Sequence, residues 1–533
     1  MKKNHKLSVF LLKSYLKDFT NALKEGFNDY EEHKIKTQAN AEGLIIIGIT
    51  RTNPPSWEQL LQEGSQTKIT SLKNASNRAV LFFKVKGRVF AIAFGYGKHI
   101  IKEELIERDF GLRTALNLLD SEKFISIDKA NLSDMALLTK MQSSRKSRPE
   151  AFNLDVISDL LRGVTAGISK SSNDLGSIIT GNEGVYLSPK INFFDIPDKL
   201  KKLIKAYESE KYKENFDWID NLKEEKNPKL IDQLRDLLIE ALKNEDTTNI
   251  HLASPNIINW ENYEGYAYSS VNDDLKMDLD ISDFYLYKAD KLQDLNWDVI
   301  KRLSIYLKYV NNEIRASAPF WRFINFEVEY KDAIYLFTLG KWYQINKNYV
   351  DDIRNYVKGI EESQLNYIPC AKDASEGEYN ELLAASNKDY LLFDKNLVKS
   401  DYYNRSNIEV CDVLSISNKE FIHVKPRSSS STLSHLFAQG RISSTAILRD
   451  DSFRKNFRAR LGKMKATRNI VPLDRKQLKP SEYTITFALI DKKDRSFIDA
   501  LPFFSLINFR LTLESLIEQG FKVKVKNILR NNT

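Results

Sequence analysis

Hydrophobic and polar positions alternate in short runs through most of the chain, and the period of the alternation changes along it. From residue 1 to 150 a period of two dominates, which predicts strands over residues 7–12, 43–50, 79–85 and 88–95, the last two joined by a tight turn at Lys86-Gly87. Helices are predicted over residues 13–25 and 102–120. From 151 to 250 the chain is polar and mainly helical. Its clearest element is the amphipathic run 228–244, where Leu230, Leu234, Leu237, Leu238 and Leu242 recur at three- and four-residue steps. A second helix is predicted over 198–212.

From 251 to 360 the apolar positions are mostly aromatic. Trp260, Tyr263, Tyr266 and Tyr268 form one group, Phe320, Trp321, Phe323, Phe326 and Tyr330 a second, and Tyr335, Phe337, Trp342, Tyr343 and Tyr349 a third. A hairpin turning at Gly340-Lys341 and a helix over 349–360 are predicted. Two readings compete here. Aromatics beside Lys and Arg can stack unpaired bases or bind a partner protein, and half-buried strands are aromatic for packing alone.

From 361 to 533 the order is helix, strand, strand, strand, helix. A helix carrying Glu378 and Glu381 precedes three apolar runs, YLLFD, IEVCDVL and EFIHVK, and a serine-rich turn then opens a second helix. Residues 484–490 read as a central strand, 503–519 as a helix packed on it, and 521–528 as an edge strand with Lys522, Lys524 and Lys526 outward. The expected fold is therefore multidomain mixed α+β, its C-terminal half one mixed sheet flanked by helices. The four stretches 1–150, 151–250, 251–360 and 361–533 are the expected domains.

Composition narrows the class. Hydrophobic residues make up 42% of the 533 and charged residues 29%, as in a globular protein too long for one core. No apolar run reaches the roughly 18 residues of a spanning helix. The N-terminus starts basic and then apolar, but Lys13, Lys17 and Asp18 interrupt it and no small-residue cleavage site follows, so a cytoplasmic protein is expected. Cys370 and Cys411 are the only cysteines, which excludes a disulfide framework and a cysteine zinc site. FGYGKH, residues 94–99, lacks the Lys-Ser/Thr pair of a phosphate loop and reads as a strand-ending turn; His99 alone carries no assignment.

The net charge of +8 is unevenly spread. From 420 to 530 there are 22 Lys and Arg against 10 Asp and Glu, so the remainder is slightly acidic. The densest part holds Arg454, Lys455, Arg458, Arg460, Lys463, Lys465 and Arg468 with no acid among them, a pattern suited to phosphates or to a solvated helix face.

The apolar runs of the C-terminal stretch hold acids and a lysine where water is scarce, and such charges require each other or a metal. Asp412 and Lys425 stand a hairpin's length apart and come side by side if they share a sheet face. Glu409, three positions before Asp412, falls on the opposite face unless a bulge intervenes. Carboxylates holding Mg²⁺ with a lysine nearby suffice for phosphodiester hydrolysis.

A helical acid, EVCD, HVK and the helix LSHLFAQG in this order resemble the core of the PD-(D/E)XK nuclease superfamily. That resemblance implies a Mg²⁺-dependent nuclease acting on DNA or RNA, with Asp412 as metal ligand, Lys425 as catalytic lysine and Glu378 or Glu381 as the helical acid. The chain departs at His423, where the superfamily has an acid. Histidine suits Mg²⁺ poorly, so either Asp394 or Glu409 supplies the ligand, or the metal is Mn²⁺, or the site only binds. Most of the chain also resembles a sporadically distributed family of uncharacterised bacterial proteins found near restriction and phage-defence genes, through AIAFGYGKHII, FGLRTALN, LFTLGKWY, IEVCDVLS and HVKPRSSSSTLSHLFAQG. That implies a defence setting, with a phage component or a second defence protein as partner and self-association open.

Arg427 and the helix after HVK complete the candidate set. His435 and Gln439 lie one turn apart and can touch a nucleic acid, or they face water while Leu433, Leu436 and Phe437 pack. The serines 428–431 form a loop over a phosphate or a helix start capped by Ser431 or Thr432. His423 with His435 makes only a weak zinc pair.

Overall fold

The computed structural model describes residues 2–48, 52–53, 58–68, 70, 74–75, 77–131, 137–255, 258, 263–269, 275–309, 313–403, 406–427, 430–466 and 468–531. The fold is mixed α+β and multidomain. It has two compact units, one of residues 1–130 and 139–219, the other of 131–138 and 220–533.

The first unit is built on a ten-stranded sheet whose described pairings are all antiparallel. Leu7–Leu11, Arg88–Gly95 and Arg78–Val85 are neighbours in its interior, and Lys86 and Gly87, both at positive φ, make the expected tight turn. Successive residues of Leu7–Leu11 serve different cores: Leu7, Val9 and Leu11 pack with helices Phe110–Leu118 and Ile196–Tyr207, and Phe10 packs with Leu16, Phe19 and Ile101 on the other face. The helix expected over 13–25 does not form; apart from a 3-10 turn at Thr20–Ala22 the segment is irregular. Its backbone pairs elsewhere, Lys13 N with Leu105 O at 2.8 Å, Lys24 N with Ile100 O at 2.9 Å and Ala22 O with Lys102 N at 2.8 Å. The same pairing holds residues 101–108 out of the helix expected over 102–120, which shortens to Phe110–Leu118.

The second unit opens with an aromatic core. Helix Pro228–Lys243 buries Leu234, Leu238 and Leu242 against Phe284, Phe320, Phe323, Phe326, Phe337 and Trp342. These rings are packing, the less specific of the two readings offered for this stretch; Trp260 lies outside the described residues. The hairpin pairs Thr338 with Lys341, so its turn is Leu339-Gly340, both at positive φ, one position earlier than expected.

The C-terminal part of this unit is a five-stranded sheet: β1 (Tyr390–Leu392), β2 (Val413–Ser415), β3 (Glu420–Pro426), β4 (Thr484–Asp491) and β5 (Lys522–Leu529), adjacent in that order. β1, β2 and β3 form an antiparallel meander, whereas β3, β4 and β5 are parallel. β4 is buried along its whole length, as a strand paired and covered on both faces must be. Helix α1 (Glu376–Ala385) covers one face through Tyr379 and Leu383, against Val413, Ile422, Val424 and Ala488. On the other face lie α2 (Ser430–Arg449), α3 (Asp451–Lys463) and α4 (Phe503–Glu518), where Phe437, Phe487 and Phe509 form an aromatic cluster with centroids 5.2–5.9 Å apart.

IEVCDVL is not one strand. Asn407–Glu409 pairs with Leu397–Lys399 in a separate two-stranded hairpin, and only Val413–Ser415 joins the main sheet. The chain changes sheets at Val410–Cys411–Asp412. Cys370 and Cys411 are both buried and unbridged.

Candidate functional site

The change of sheets brings acids together that a continuous strand would have separated. One carboxylate oxygen from each of Asp394, Glu409 and Asp412 lies within 4.8 Å of the others, with Asp412 buried and the other two half-buried. Asp412 is 1% exposed and fixed on every side. Its N–H donates to Ile422 O at 2.9 Å, its carbonyl accepts from Phe393 N at 2.7 Å and Asp394 N at 2.9 Å, and its Oδ2 accepts from Val424 N at 2.7 Å. Glu409 Oε1 accepts from Lys395 N at 2.6 Å and Oε2 from Gln439 Nε2 at 3.0 Å.

Burial, with Glu409 adding like charge, pushes the Asp412 carboxyl up to about 8 against the opposing effects of the Val424 bond and Lys425. Glu409 is raised too, first by burial and then by Asp394, with the Lys395 bond opposing. Burial leads in both cases, so these carboxyls stand where their charged forms are poorly solvated. Three carboxylate oxygens this close could hold a hard divalent ion such as Mg²⁺ or Mn²⁺, whose binding would displace the proton that burial favours on Asp412.

Lys425 approaches from β3, but its ammonium is held in an ion pair with Glu376, the first residue of α1. Burial alone would lower the Lys425 pKa; the Glu376 carboxylate outweighs it and the net shift is upward. The acid α1 contributes is therefore Glu376. Glu378 closes a capping box instead, accepting from Ser375 N at 2.7 Å and Ser375 Oγ at 2.8 Å, and Glu381 faces solvent. The capping pattern Ser375-x-x-Glu378 was a readable signal that Glu378 was engaged at the helix start. One turn beyond Glu376, Asn380 is fully buried and neither of its amide atoms has a partner among the described residues.

His423 lies outside the acid cluster. It is 1% exposed, its ring is stacked on Phe487 at 6.0 Å and both ring nitrogens are unpartnered among the described residues. Burial, aided by Lys425, pushes its pKa down to about 3 and keeps it neutral.

The basic stretch divides sharply. Arg454 is fully buried, donating to Ile447 O at 2.7 Å and Leu473 O at 3.2 Å and pairing with Asp451, so it is closed to any nucleic acid. Arg458 donates to Val471 O at 2.8 Å and Asn469 Oδ1 at 2.9 Å, and Arg460 to Leu397 O at 3.2 Å. Arg427 is half-buried and donates to Ala500 O at 2.7 Å. Lys455, Lys463, Lys465 and His435 are exposed. Leu433, Leu436 and Phe437 pack and His435 faces solvent, as the packing reading has it, but Gln439 does not face water: it donates to Glu409 of the acid cluster. Residues 428 and 429 and the side chains of Ser430, Ser431, Thr432 and Arg468 lie outside the described residues.

α3 secures the acid-bearing hairpin. Asn456 Nδ2 donates to Lys399 O at 3.1 Å, Arg460 grips Leu397 O, and the Phe457 ring meets Phe393, next to Asp394, at 5.3 Å.

Among the described residues no helix is long and apolar enough to cross a membrane. Comparison with curated proteins and with solved structures gives no match. A family model does match, over residues 7–529, and the chain belongs to that family, a family of unknown function (DUF6119).

Proposed function

We propose that the C-terminal part of the second unit is a metal-dependent nuclease core of the restriction-endonuclease type, hydrolysing DNA or RNA phosphodiesters in bacterial anti-phage defence. The observation that carries this reading is the convergence of Asp394, Glu409 and Asp412 beside Lys425 on a helix-strand-strand-strand-helix-strand scaffold. Asp394 and Glu409 supply the oxygen donors that His423 does not. A bound Mg²⁺ or Mn²⁺ would neutralise charge on the phosphate and activate water. Lys425, steered by Glu376, offers its ammonium to the charge that grows on the reacting phosphate. Gln439 and the Lys395 amide fix the Glu409 carboxylate. The defence setting rests on the resemblance to proteins found near phage-defence genes, and a cytoplasmic location on the two unbridged cysteines, Cys370 and Cys411, which suit a reducing compartment.

A second reading is a sensor that binds nucleic acid or a phage protein without cutting it. One observation favours it: the position of the superfamily acid holds a buried, neutral His423. The deciding experiment is cleavage of single- and double-stranded DNA and RNA with Mg²⁺, Mn²⁺ or EDTA. Metal-dependent cleavage lost by at least a thousandfold in Asp412→Ala and Lys425→Ala supports the nuclease. Full activity in both variants would sink it, and binding without cleavage under every condition would establish the sensor.

A further inference from the structure

Two lysines approach the acid cluster, and their situations differ. Lys425 is engaged with Glu376. Lys395 is exposed, and among the described residues its ammonium has no ion-pair or hydrogen-bond partner. The backbone of Lys395 is nonetheless fixed: it sits in the left-handed region at φ 59°, between Asp394 and the hairpin, and its N–H is bound by Glu409 Oε1 at 2.6 Å. Few non-glycine residues adopt that conformation, and the bond to Glu409 holds Lys395 in it. Opposite lies Gly377, the second residue of α1. A Cβ placed there would stand 3.5 Å from Asp394 Oδ2 and 3.7 Å from Lys395 Nζ. The missing side chain leaves a gap at this point, bordered by an acid of the cluster on one side and a free ammonium on the other.

We infer that Lys395 receives a phosphate of the nucleic-acid substrate, and that Gly377 keeps open the space in which this phosphate lies. The inference rests on the nuclease reading for the identity of the ligand. A tethered ammonium next to carboxylates has no steady partner while those carboxylates repel an anion, and it gains one when a divalent ion neutralises them. Lys395 is then a substrate-positioning residue, distinct from Lys425.

The test uses the full chain and three variants, Lys395→Ala, Lys395→Arg and Gly377→Val. Oligonucleotide binding is followed by fluorescence anisotropy over a range of salt in the presence of Mn²⁺, and Mn²⁺ binding by electron paramagnetic resonance. Lys395→Ala should weaken oligonucleotide binding about tenfold, reduce the slope of log affinity against log salt by about 1 and raise KM more than it lowers kcat. Mn²⁺ affinity should not fall in Lys395→Ala, Lys395→Arg should restore most of the loss, and Gly377→Val, whose side chain enters this space, should weaken the oligonucleotide. Wild-type affinity and salt slope in Lys395→Ala overturn the inference even if the wild type cleaves. A wild type that binds through Lys395 but never cleaves retires the nuclease and keeps the phosphate contact. A wild type that binds no oligonucleotide overturns both.

Discussion

Glu107 in the first unit and Asp412 in the second are both buried carboxylates, and their surroundings are opposite. Glu107 is bracketed by two cations, Lys13 Nζ at 3.0 Å and Arg88 Nη2 at 3.2 Å. Asp412 has two further acids within 4.8 Å, while the lysine near it is paired to a different carboxylate. A compensated charge ties three segments together and repays its desolvation. An uncompensated cluster costs stability wherever it stands, and a fold retains such a cost most readily at a site that a ligand completes. The difference separates scaffold from site more clearly than burial does, since both groups are buried.

The largest expected effect attacks this contrast directly. Glu107→Gln leaves two cations around a neutral amide and should destabilise the first unit by about 3 kcal/mol. Asp412→Asn keeps an oxygen for the Val424 N–H and removes repulsion, so its melting temperature without metal should equal or exceed that of the wild type. Thermal unfolding of both variants in EDTA measures the pair. Equal losses in the two would mean that Asp412 is a structural charge like Glu107.

Next in size is Arg454. Truncation to Met strips the guanidinium from the carbonyls of Ile447 and Leu473 and should cost about 2 kcal/mol. Lys455→Met, one residue along the same helix and exposed, should stay within about 0.5 kcal/mol of the wild type. If the two substitutions behave alike in chemical denaturation, the division of α3 into an anchored and a free set of cations fails.

These residues also show what could be read in advance. The all-buried β4 and the lysine-bearing β5 followed from alternation, and so did the Lys86-Gly87 hairpin. Arg454 was legible in principle, for Arg454, Phe457 and Leu461 fall on one helical face, and a cation inside an apolar stripe is a buried one. Charge counting alone hid it among six exposed-looking neighbours. The break between Glu409 and Val413 carried no glycine or proline to mark it; the chain turns there because the hairpin finds its partner in Leu397–Lys399, and α3 holds it down. The irregular segment after Leu11 had helical spacing and lost to backbone pairing with residues 100–105, a contact distant in sequence. Asp394, Glu409 and Asp412 could each be named as candidates, but their meeting depended on that unmarked break.

His423 extends the comparison to a buried base. Its folded pKa of about 3 lies below the ordinary 6.5, so beneath pH 6.5 the unfolded chain takes up a proton that the folded chain refuses. The stability it contributes is whole above 6.5 and falls by about 1.4 kcal/mol for each pH unit lost between 6.5 and 3. His423→Phe, which keeps a ring against Phe487, should flatten the pH dependence by that amount in denaturation at pH 7 and pH 5. An unchanged slope would mean that the imidazole titrates freely and that the site reaches further into the sheet than the acid cluster.

The smallest effect concerns the free cations outside the core. Lys455, Lys463 and Lys465 have side chains open to solvent, whereas Arg458 is committed to Val471 O and Asn469. If a nucleic acid runs along α3, each exposed lysine releases roughly one counterion on binding, so replacing all three by Gln should lower the salt slope by about 3 for duplex DNA. Arg458→Gln should leave that slope unchanged and show itself in stability alone. The two measurements together separate a phosphate-binding face from a solvated one. A triple variant with the wild-type slope would confine nucleic-acid contact to the mouth of the acid cluster, where Lys395 stands.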